Sequence, residues 1–134
     1  MNVEEEQIKS MLDSAFQRFP PELSCRDELE VKRIFGLYMM FAKADVEFEP
    51  FLASGRPDSV LKTEKAIYVI EFKYAQSADA ALAQCREKRY ADAYAADGRR
   101  VVYVGVNYNP KVRTIDEVKT EKVEKLKVGV EVEG

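Results

Sequence analysis

The fold of this chain is decided by residues 56–74, which read RPDSVLKTEKAIYVIEFKY. The end of this stretch predicts a strand at about 66–74 with apolar residues on both faces, which is typical of a central strand covered on both sides. The beginning predicts a strand at about 58–63, and a short turn joins the two strands as a hairpin. Asp58 and Glu71 lie equally far from the centre of this turn. The register therefore places them opposite each other, with Cβ atoms about 5 Å apart.

The predicted pair of Asp58 and Glu71 brings together two like charges, which is unfavourable unless one group keeps a proton or a cation lies between them. A divalent metal ion with oxygen ligands meets the second condition. Lys73 follows Glu71 on the same face, where an ammonium can orient a water molecule or stabilise developing negative charge. The alternative is a strand that reaches the surface and ends in an ordinary glutamate and lysine. The residues alone leave both interpretations open.

The chain has no histidine and two cysteines among its 134 residues. The lack of histidine excludes serine and cysteine triads with a histidine base and every histidine-ligated metal site. Two cysteines are too few for a disulfide scaffold or a four-thiolate zinc site, and Cys85 is predicted to lie in the core. Any catalysis must therefore use carboxylates, lysine, tyrosine or a thiol.

The length predicts one domain over residues 1–134, with a helical extension at 1–22 and a strand or tail at 118–134. No apolar run approaches the roughly 20 residues needed to cross a bilayer, so we expect no membrane partner. The acidic start, Met1 to Glu6, lacks the features of a signal peptide. We therefore expect a cytoplasmic protein with reduced thiols.

Apolar periodicity predicts three helices around the hairpin. The first helix is predicted at 3–18 and is stopped by Pro20-Pro21. The second begins at Ser24 or Asp27 and ends at about Lys43-Ala44. The third runs from about 78 to 97, with Ser77 as its cap and Gly98 as its terminator.

The other strands are predicted at 46–51, 100–107, 112–117 and 125–132. The order strand, helix, strand around the third helix predicts a right-handed parallel unit. The fold class is therefore α/β, with a small mixed central sheet flanked by helices.

Polar side chains on the second and third helices are further candidates for a site. Gln84 and Lys88 lie one turn apart on a face of otherwise small residues, where they either point into a polar site or reach water at its edge. Glu28 and Glu30 flank the apolar stripe of the second helix, where either can add a ligand or complement the helix dipole.

Charge is uneven along the chain, whose net charge is −3. Residues 1–50 carry 11 acidic and 6 basic residues, whereas residues 86–113 carry 7 basic and 3 acidic ones. A polyanion can bind the second region while the rest keeps the protein soluble. The alternative is that helix faces and turns simply carry mixed charge.

These residues resemble the PD-(D/E)xK nuclease superfamily, because Pro57-Asp58 followed by Glu71-Phe72-Lys73 matches its signature. More specifically, the chain resembles the nuclease-like domain at the C-terminus of many bacterial AAA-ATPase-like proteins over about 28–117. That resemblance rests on GRPDSVL at 55–61, YVIEFK at 68–73, ALAQ at 81–84, KRY at 88–90 and the stretches at 98–107 and 111–115.

The resemblance implies a restriction-endonuclease-like core with the order α-β-β-β-α-β and hydrolysis of phosphodiester bonds with Mg²⁺ or Mn²⁺. It implies that the metal ligands are Asp58, Glu71 and the main-chain carbonyl of Phe72. Lys73 would be the catalytic lysine, and Gln84 would lie near the scissile bond.

The resemblance also implies an acidic ligand from the first core helix, for which Glu30 aligns first and Glu28 second. Small nucleases of this class, including Holliday-junction resolvases, often act as homodimers. Exposed apolar positions at 3–18 would allow a homodimer here.

We therefore predict a metal-dependent endonuclease that acts on DNA, including structure-specific activity of the junction-resolvase kind. Its substrate is expected to bind near Arg56, Arg86, Lys88, Arg89, Arg99 and Arg100. One alternative is a catalytically inactive nuclease-fold module that binds nucleic acid or a protein partner. Another is an RNA or nucleotide phosphodiesterase that uses the same metal site.

Overall fold

The computed structural model describes residues 3–17 and 25–124, which form three α-helices, a 3₁₀ helix and a five-stranded sheet. In chain order the elements are α1 (Val3–Gln17), α2 (Glu28–Phe41), β1 (Val46–Phe48), β2 (Ser59–Lys62), β3 (Ala66–Tyr74), α3 (Ala78–Lys88), the 3₁₀ helix (Tyr90–Tyr94), β4 (Arg100–Asn109) and β5 (Thr114–Val123). The strands lie side by side in chain order, with β3 and β4 parallel and the other neighbours antiparallel. From α2 to β4 the order is α-β-β-β-α-β, so the predicted α/β class with a mixed sheet is confirmed.

The β2–β3 hairpin has the register predicted from its turn. Ser59, the first residue of β2, pairs with Ile70. Asp58 directly precedes Ser59, so the same register places Asp58 opposite Glu71. The alternation of side chains along β3 then decides which of them reach each face of the sheet.

Helices cover both faces of the sheet, as the doubly apolar central strands predict. On one face α1 and α2 cover a core in which the Phe35 and Phe72 rings lie 5.1 Å apart. On the other face α3 and the 3₁₀ helix cover Val69 and its neighbours. Glu71 and Lys73 share the side of Val69, so they lie on the face covered by α3.

Helix α3 lies close against β4 because a glycine faces its first turn. A Cβ atom on Gly105 would lie 2.3 Å from the carbonyl oxygen of Ala78. Ser77 caps the helix as predicted, because its hydroxyl accepts the Ala80 N–H at 3.0 Å. Cys85 is fully buried beneath the helix, which confirms its predicted place in the core.

Helix α3 is shorter than the predicted helix at 78–97. It ends at Lys88 because Arg89 adopts the left-handed region, with φ at 50°, and the chain turns into the 3₁₀ helix. This turn buries the ring of Tyr90, and removal of that ring from water favours the turn over a longer helix. Gly98 therefore does not terminate α3.

Helix α2 and strand β1 also depart from the predicted limits. Asp27 caps α2 by accepting the Glu30 N–H at 2.9 Å. The helix ends at Phe41, and Lys43, near its predicted end, has a positive φ of 55°. Strand β1 has only three residues, and Phe51, predicted as part of a half-buried strand, is 83% exposed.

The C-terminal part of the sheet is one long strand. Strand β5 replaces the short strand predicted at 112–117. The strand predicted at 125–132 and the stop at Pro20-Pro21 lie outside the described residues. Within the described residues, no helix has the length and apolar character needed to span a bilayer.

Helix α1 packs against the rest of the domain. Leu12 is 1% exposed within the core under α1 and α2. Glu4 accepts a hydrogen bond from the Tyr68 hydroxyl at 2.6 Å, and Glu5 accepts the Thr120 N–H at 3.0 Å. At Leu12, the apolar face that was expected to be exposed for a second copy is therefore covered by the same chain.

Candidate functional site

The candidate site lies where β2 begins and β3 approaches its end. The Asp58 N–H donates to Glu71 Oε1 at 2.9 Å, and the Phe72 N–H donates to Asp58 Oδ2 at 2.8 Å. Each carboxylate thus accepts a main-chain hydrogen bond from the opposite segment. This reciprocal arrangement follows from the hairpin register, and it holds the two acidic groups side by side.

Glu71 is a buried carboxyl group with an acidic neighbour. It is 2% exposed, and burial together with the charge of Asp58 raises its pKa from 4.5 to about 8. Near neutral pH Glu71 therefore keeps a proton when no cation is bound. A divalent cation beside both carboxylates would displace this proton, because it would offset both negative charges.

Lys73 lies beyond Glu71 on the same face of β3. Its Nζ donates to Gln84 Oε1 on α3 at 2.6 Å, and its charge opposes the rise in the pKa of Glu71. Of the two alternatives left open by the sequence, Gln84 points into the polar site, whereas Lys88 is exposed one turn later.

The two glutamates at the start of α2 have different surroundings. Glu30 accepts the Arg26 N–H at 2.6 Å and pairs with the Arg26 guanidinium, which lowers the pKa of Glu30. Glu28 is half-buried, and burial together with the charge of Asp58 raises its pKa. The structure therefore brings Glu28 to the site and not Glu30, the residue that aligned first. Two positions along a helix rotate a side chain to nearly the opposite side.

Lys32 belongs to this site although sequence reasoning did not single it out. Its Nζ lies 3.2 Å from Asp58 Oδ1 and 3.7 Å from Glu49 Oε1. Burial opposes the charged form of Lys32, but Asp58, Glu49 and Glu28 together outweigh burial and raise the pKa of Lys32. The signal was its spacing, because Lys32 follows Glu28 by one helical turn on the same face.

A comparison with protein families adds to this geometry. A model described as the PD-(D/E)XK nuclease superfamily matches residues 26–118, which is more than half of the chain and includes the whole site described above. The chain belongs to the PD-(D/E)XK nuclease superfamily. This match does not confirm the narrower prediction that the chain resembles the domains that follow AAA-ATPase-like regions. A search of curated proteins found no match to the chain.

Three of the predicted phosphate-binding residues of this superfamily member lie around the loop before β2. Lys88 Cδ lies 3.7 Å from the position of a Cβ atom on Gly55, and the Ser54 hydroxyl donates to the Arg89 carbonyl at 3.5 Å. Arg56 belongs to the same loop. Arg56, Lys88 and Arg89 are all exposed, so they are accessible to a nucleic acid that enters the site. Arg89 is also paired with an acid, because its Nε lies 3.0 Å from Asp92 Oδ2.

The other three predicted phosphate-binding residues are all paired with acids, and two of them lie far from the carboxylates. Arg100 lies opposite Ala66, whereas Glu71 lies opposite Gly105, which separates them by about 16 Å along β3. Contrary to expectation, the Arg99-Arg100 turn therefore lies at the far end of the sheet, because the parallel pairing starts there. The ion pairs are Arg86 with Glu121, Arg99 with Asp97 and Arg100 with Glu4.

The residues present suit the divalent metal ions that PD-(D/E)XK nucleases typically use. Within residues 3–17 and 25–124, no three acidic or thiol side chains converge into a ligand cage of their own. Mg²⁺ does not require one, because one or two carboxylates, waters and substrate phosphates commonly complete its shell. Asp58 and Glu71 supply two adjacent carboxylates, and Glu28 lies near Asp58.

Proposed function

We propose that this protein is a divalent-metal-dependent endonuclease that hydrolyses phosphodiester bonds in DNA. The observation that carries the proposal is the pair of Asp58 and Glu71, joined through main-chain hydrogen bonds, with Lys73 beside them. Membership of a nuclease superfamily supports phosphodiester hydrolysis. Two adjacent carboxyl groups, one of them buried with a raised pKa, support the binding of a cation beside them.

The ligands proposed for Mg²⁺ or Mn²⁺ are Asp58, Glu71 and the main-chain carbonyl of Phe72. Glu28 takes the place first predicted for Glu30 as a further acidic ligand, because its surroundings bring it near Asp58. When bound, such an ion offsets negative charge on the phosphate and lowers the pKa of water.

In this proposal three side chains of the protein hold the reacting groups in position. Lys73 presents its ammonium next to Glu71, where it orients the attacking water and stabilises the charge that develops on the phosphate. Gln84 holds Lys73 Nζ at 2.6 Å and thereby limits the directions in which the ammonium can point. On α2, Lys32 holds Asp58 Oδ1 at 3.2 Å and keeps that carboxylate in place before substrate arrives.

DNA is proposed as the substrate because exposed cations lie at the same end of the sheet as the carboxylates. In this proposal the phosphates on either side of the scissile bond contact Arg56, Lys88 and Arg89. The net charge of −3 disfavours binding of DNA elsewhere on the surface. A homodimer in the cytoplasm is also proposed, with its contacts away from Leu12, which packs in the core of its own domain.

The test is cleavage of labelled duplex, single-stranded, flap and four-way-junction DNA and of RNA, each with Mg²⁺, Mn²⁺ or EDTA. We expect products only with a metal ion, and loss of these products in Glu71→Gln. Glutamine resembles the protonated carboxyl that the fold already accommodates, so the variant should remain folded. Glu64→Gln, in the exposed hairpin turn, is the matched control and should cleave as the wild type does.

Cleavage by Glu71→Gln at the wild-type rate would refute the proposed site. A lack of product from every substrate, with saturable and salt-sensitive binding of nucleic acid, would instead favour an inactive nuclease-fold module. Products from RNA alone would favour the RNA phosphodiesterase alternative.

A further inference from the structure

An open apolar groove runs from the candidate site along the outer face of α2. Its volume is about 510 Å³. Its apolar lining includes Leu37, Met40 and Phe48, and its polar lining includes Lys32, Arg33 and Asp58. We call this surface the α2 groove. One end of the groove is therefore formed by a proposed metal ligand.

We propose that the α2 groove binds the base of an unpaired nucleotide, so that the substrate is a single-stranded nucleic acid or a strand with an unpaired segment. The inference rests on the proposed function for one point, the location of the scissile phosphate beside Asp58. A base is joined to its phosphate through a single sugar. A phosphate beside Asp58 therefore places a neighbouring base at the mouth of the groove.

The apolar residues of the groove are not needed to form the core. Helix α2 already buries one stripe completely, at Val31 and Phe35, against the sheet. Its second apolar stripe is exposed, with Leu37 at 48% and Met40 at 68%, and Phe48 of the edge strand β1 is 43% exposed opposite it. Exposed apolar side chains that together line a concavity are typical of a binding surface.

The shape and chemistry of the groove suit a flat aromatic ligand with a phosphate at one end. Its volume lies within the range of sites for small ligands. Phe48 offers a ring on which a base can stack, and the cations Lys32 and Arg33 lie beside it. In a duplex, each base is stacked on its neighbours and paired along its edge. Only an unpaired base can therefore place its face against these side chains.

The rim of the groove continues this pattern. Arg56 Nε donates to the main-chain carbonyl of Glu49 at 3.0 Å, and the Arg56 guanidinium lies 3.8 Å from the centre of the Phe51 ring. Phe51 is 83% exposed. An exposed ring with a cation above it, next to the groove, extends the surface on which a strand can lie.

The position of the groove favours substrate over a protein partner. A protein segment that filled the groove would also cover Asp58, which forms part of its lining. An occupant compatible with turnover must leave space beside that carboxylate for the scissile phosphate and the cation proposed to lie between them. The strand that carries this phosphate meets the requirement.

The test is equilibrium binding, measured by fluorescence anisotropy in EDTA so that no strand is cut. The probes are labelled oligo-dT, labelled oligo-rU and a blunt DNA duplex of the same length. We expect Phe48→Ala combined with Met40→Gln to weaken binding of a single strand about tenfold, because stacking and apolar contact are lost. Duplex binding should change less than twofold, since only phosphate contacts hold it.

The matched control is Val112→Gln, which replaces a 60% exposed apolar residue outside the groove. It should leave all three affinities unchanged, and thermal unfolding should show that every variant remains folded. Binding to either single strand supports the proposal, and a preference between dT and rU would identify the sugar that is recognised.

An equal loss on duplex and single strand, unchanged binding in the groove variant, or no binding of single strands by the wild type would overturn the inference. Sedimentation that shows a wild-type dimer dissociated by the groove variant would also overturn it, in favour of a second copy as occupant. None of these readouts requires cleavage. Failure of the proposed function, seen as normal cleavage by Glu71→Gln, is therefore distinguishable from failure of this inference.

Discussion

The two ends of β3 differ in how their charges are balanced. At the Ala66 end, the neighbouring Arg100 on β4 pairs with Glu4 of α1, and both side chains help to hold α1 on the sheet. At the other end, Asp58 and Glu71 lie side by side, and burial raises the pKa of Glu71 to about 8. Charges at the first end form ion pairs within the fold, whereas charges at the second end are those that we propose to bind a cation and a phosphate.

Lys73→Met should have the largest effect, a decrease of about 100-fold or more in the cleavage rate, because it removes a positive charge beside the reacting phosphate. Lys73 is only half-buried, so the fold should persist. Single-turnover cleavage with saturating metal ion measures the rate. Lys65→Met, in the exposed hairpin turn, removes the same charge away from the site and should keep the wild-type rate. Equal rates for both variants would show that Lys73 has no part in the chemistry.

Gly105→Ala should destabilise the protein by about 1–3 kcal/mol, because the added Cβ would meet the carbonyl oxygen of Ala78 and force α3 away from β4. Gly105 lies opposite Glu71, so this strain falls at the end of β3 that carries the paired carboxylates. Urea unfolding measures the change. Gly36→Ala is the matched control, because its Cβ would meet Phe48 at an ordinary 3.5 Å and alanine favours a helix. An unchanged midpoint for Gly105→Ala would show that α3 can shift without cost.

The paired carboxylates could be predicted from the sequence because local features decide them. A short turn sets the register of the β2–β3 hairpin, and this register brings Asp58 opposite Glu71. The two faces of β3 likewise follow from its alternation. At this end of β3, the positions of the two carboxylates could therefore be predicted from contacts between residues close in sequence.

The remaining differences depend on contacts between residues far apart in the chain. Helix α3 ends at Lys88 because the ring of Tyr90 packs in the core beside β2 and β3. The sequence around Tyr90 does not reveal this packing. Glu28 rather than Glu30 reaches the site because the two side chains lie on nearly opposite sides of α2, and the side of Glu28 faces Asp58, which is 30 residues later in the chain. The basic turn before β4 is a different case, because the predicted parallel pairing of β3 and β4 already places this turn at the far end of β3. The expectation that Arg99 and Arg100 lie near the site was therefore inconsistent with the predicted topology.

The pKa of Glu71 predicts a dependence of stability on pH that the other end of β3 should lack. Between the ordinary pKa of 4.5 and about 8, the folded state binds more protons at this group than the unfolded state does. The free energy of unfolding should therefore fall as the pH rises through this range. Glu71→Gln removes the effect, so in EDTA the variant should match the wild type near pH 4 and exceed it above pH 8 by at least about 1 kcal/mol.

Thermal and urea unfolding across that pH range measure the difference between the two proteins. Glu64→Gln, an exposed substitution of the same type, should show no such divergence. If the free energy of unfolding changed with pH in the same way for Glu71→Gln and the wild type, Glu71 would have an ordinary pKa. The two ends of β3 would then not differ in their electrostatics as argued above.

The smallest expected effect compares one cation from each end of β3. Lys88→Ala and Arg99→Ala each remove a single positive charge, so they change the net charge equally. Lys88 lies next to the loop that leads into Asp58, whereas Arg99 pairs with Asp97 at 2.7 Å at the far end of the sheet. Lys88→Ala should therefore weaken DNA binding a few-fold and reduce the slope of log K against log salt by about one, while Arg99→Ala should change neither. Equal losses would mean that DNA responds to the net charge of the surface and not to a footprint around the carboxylates.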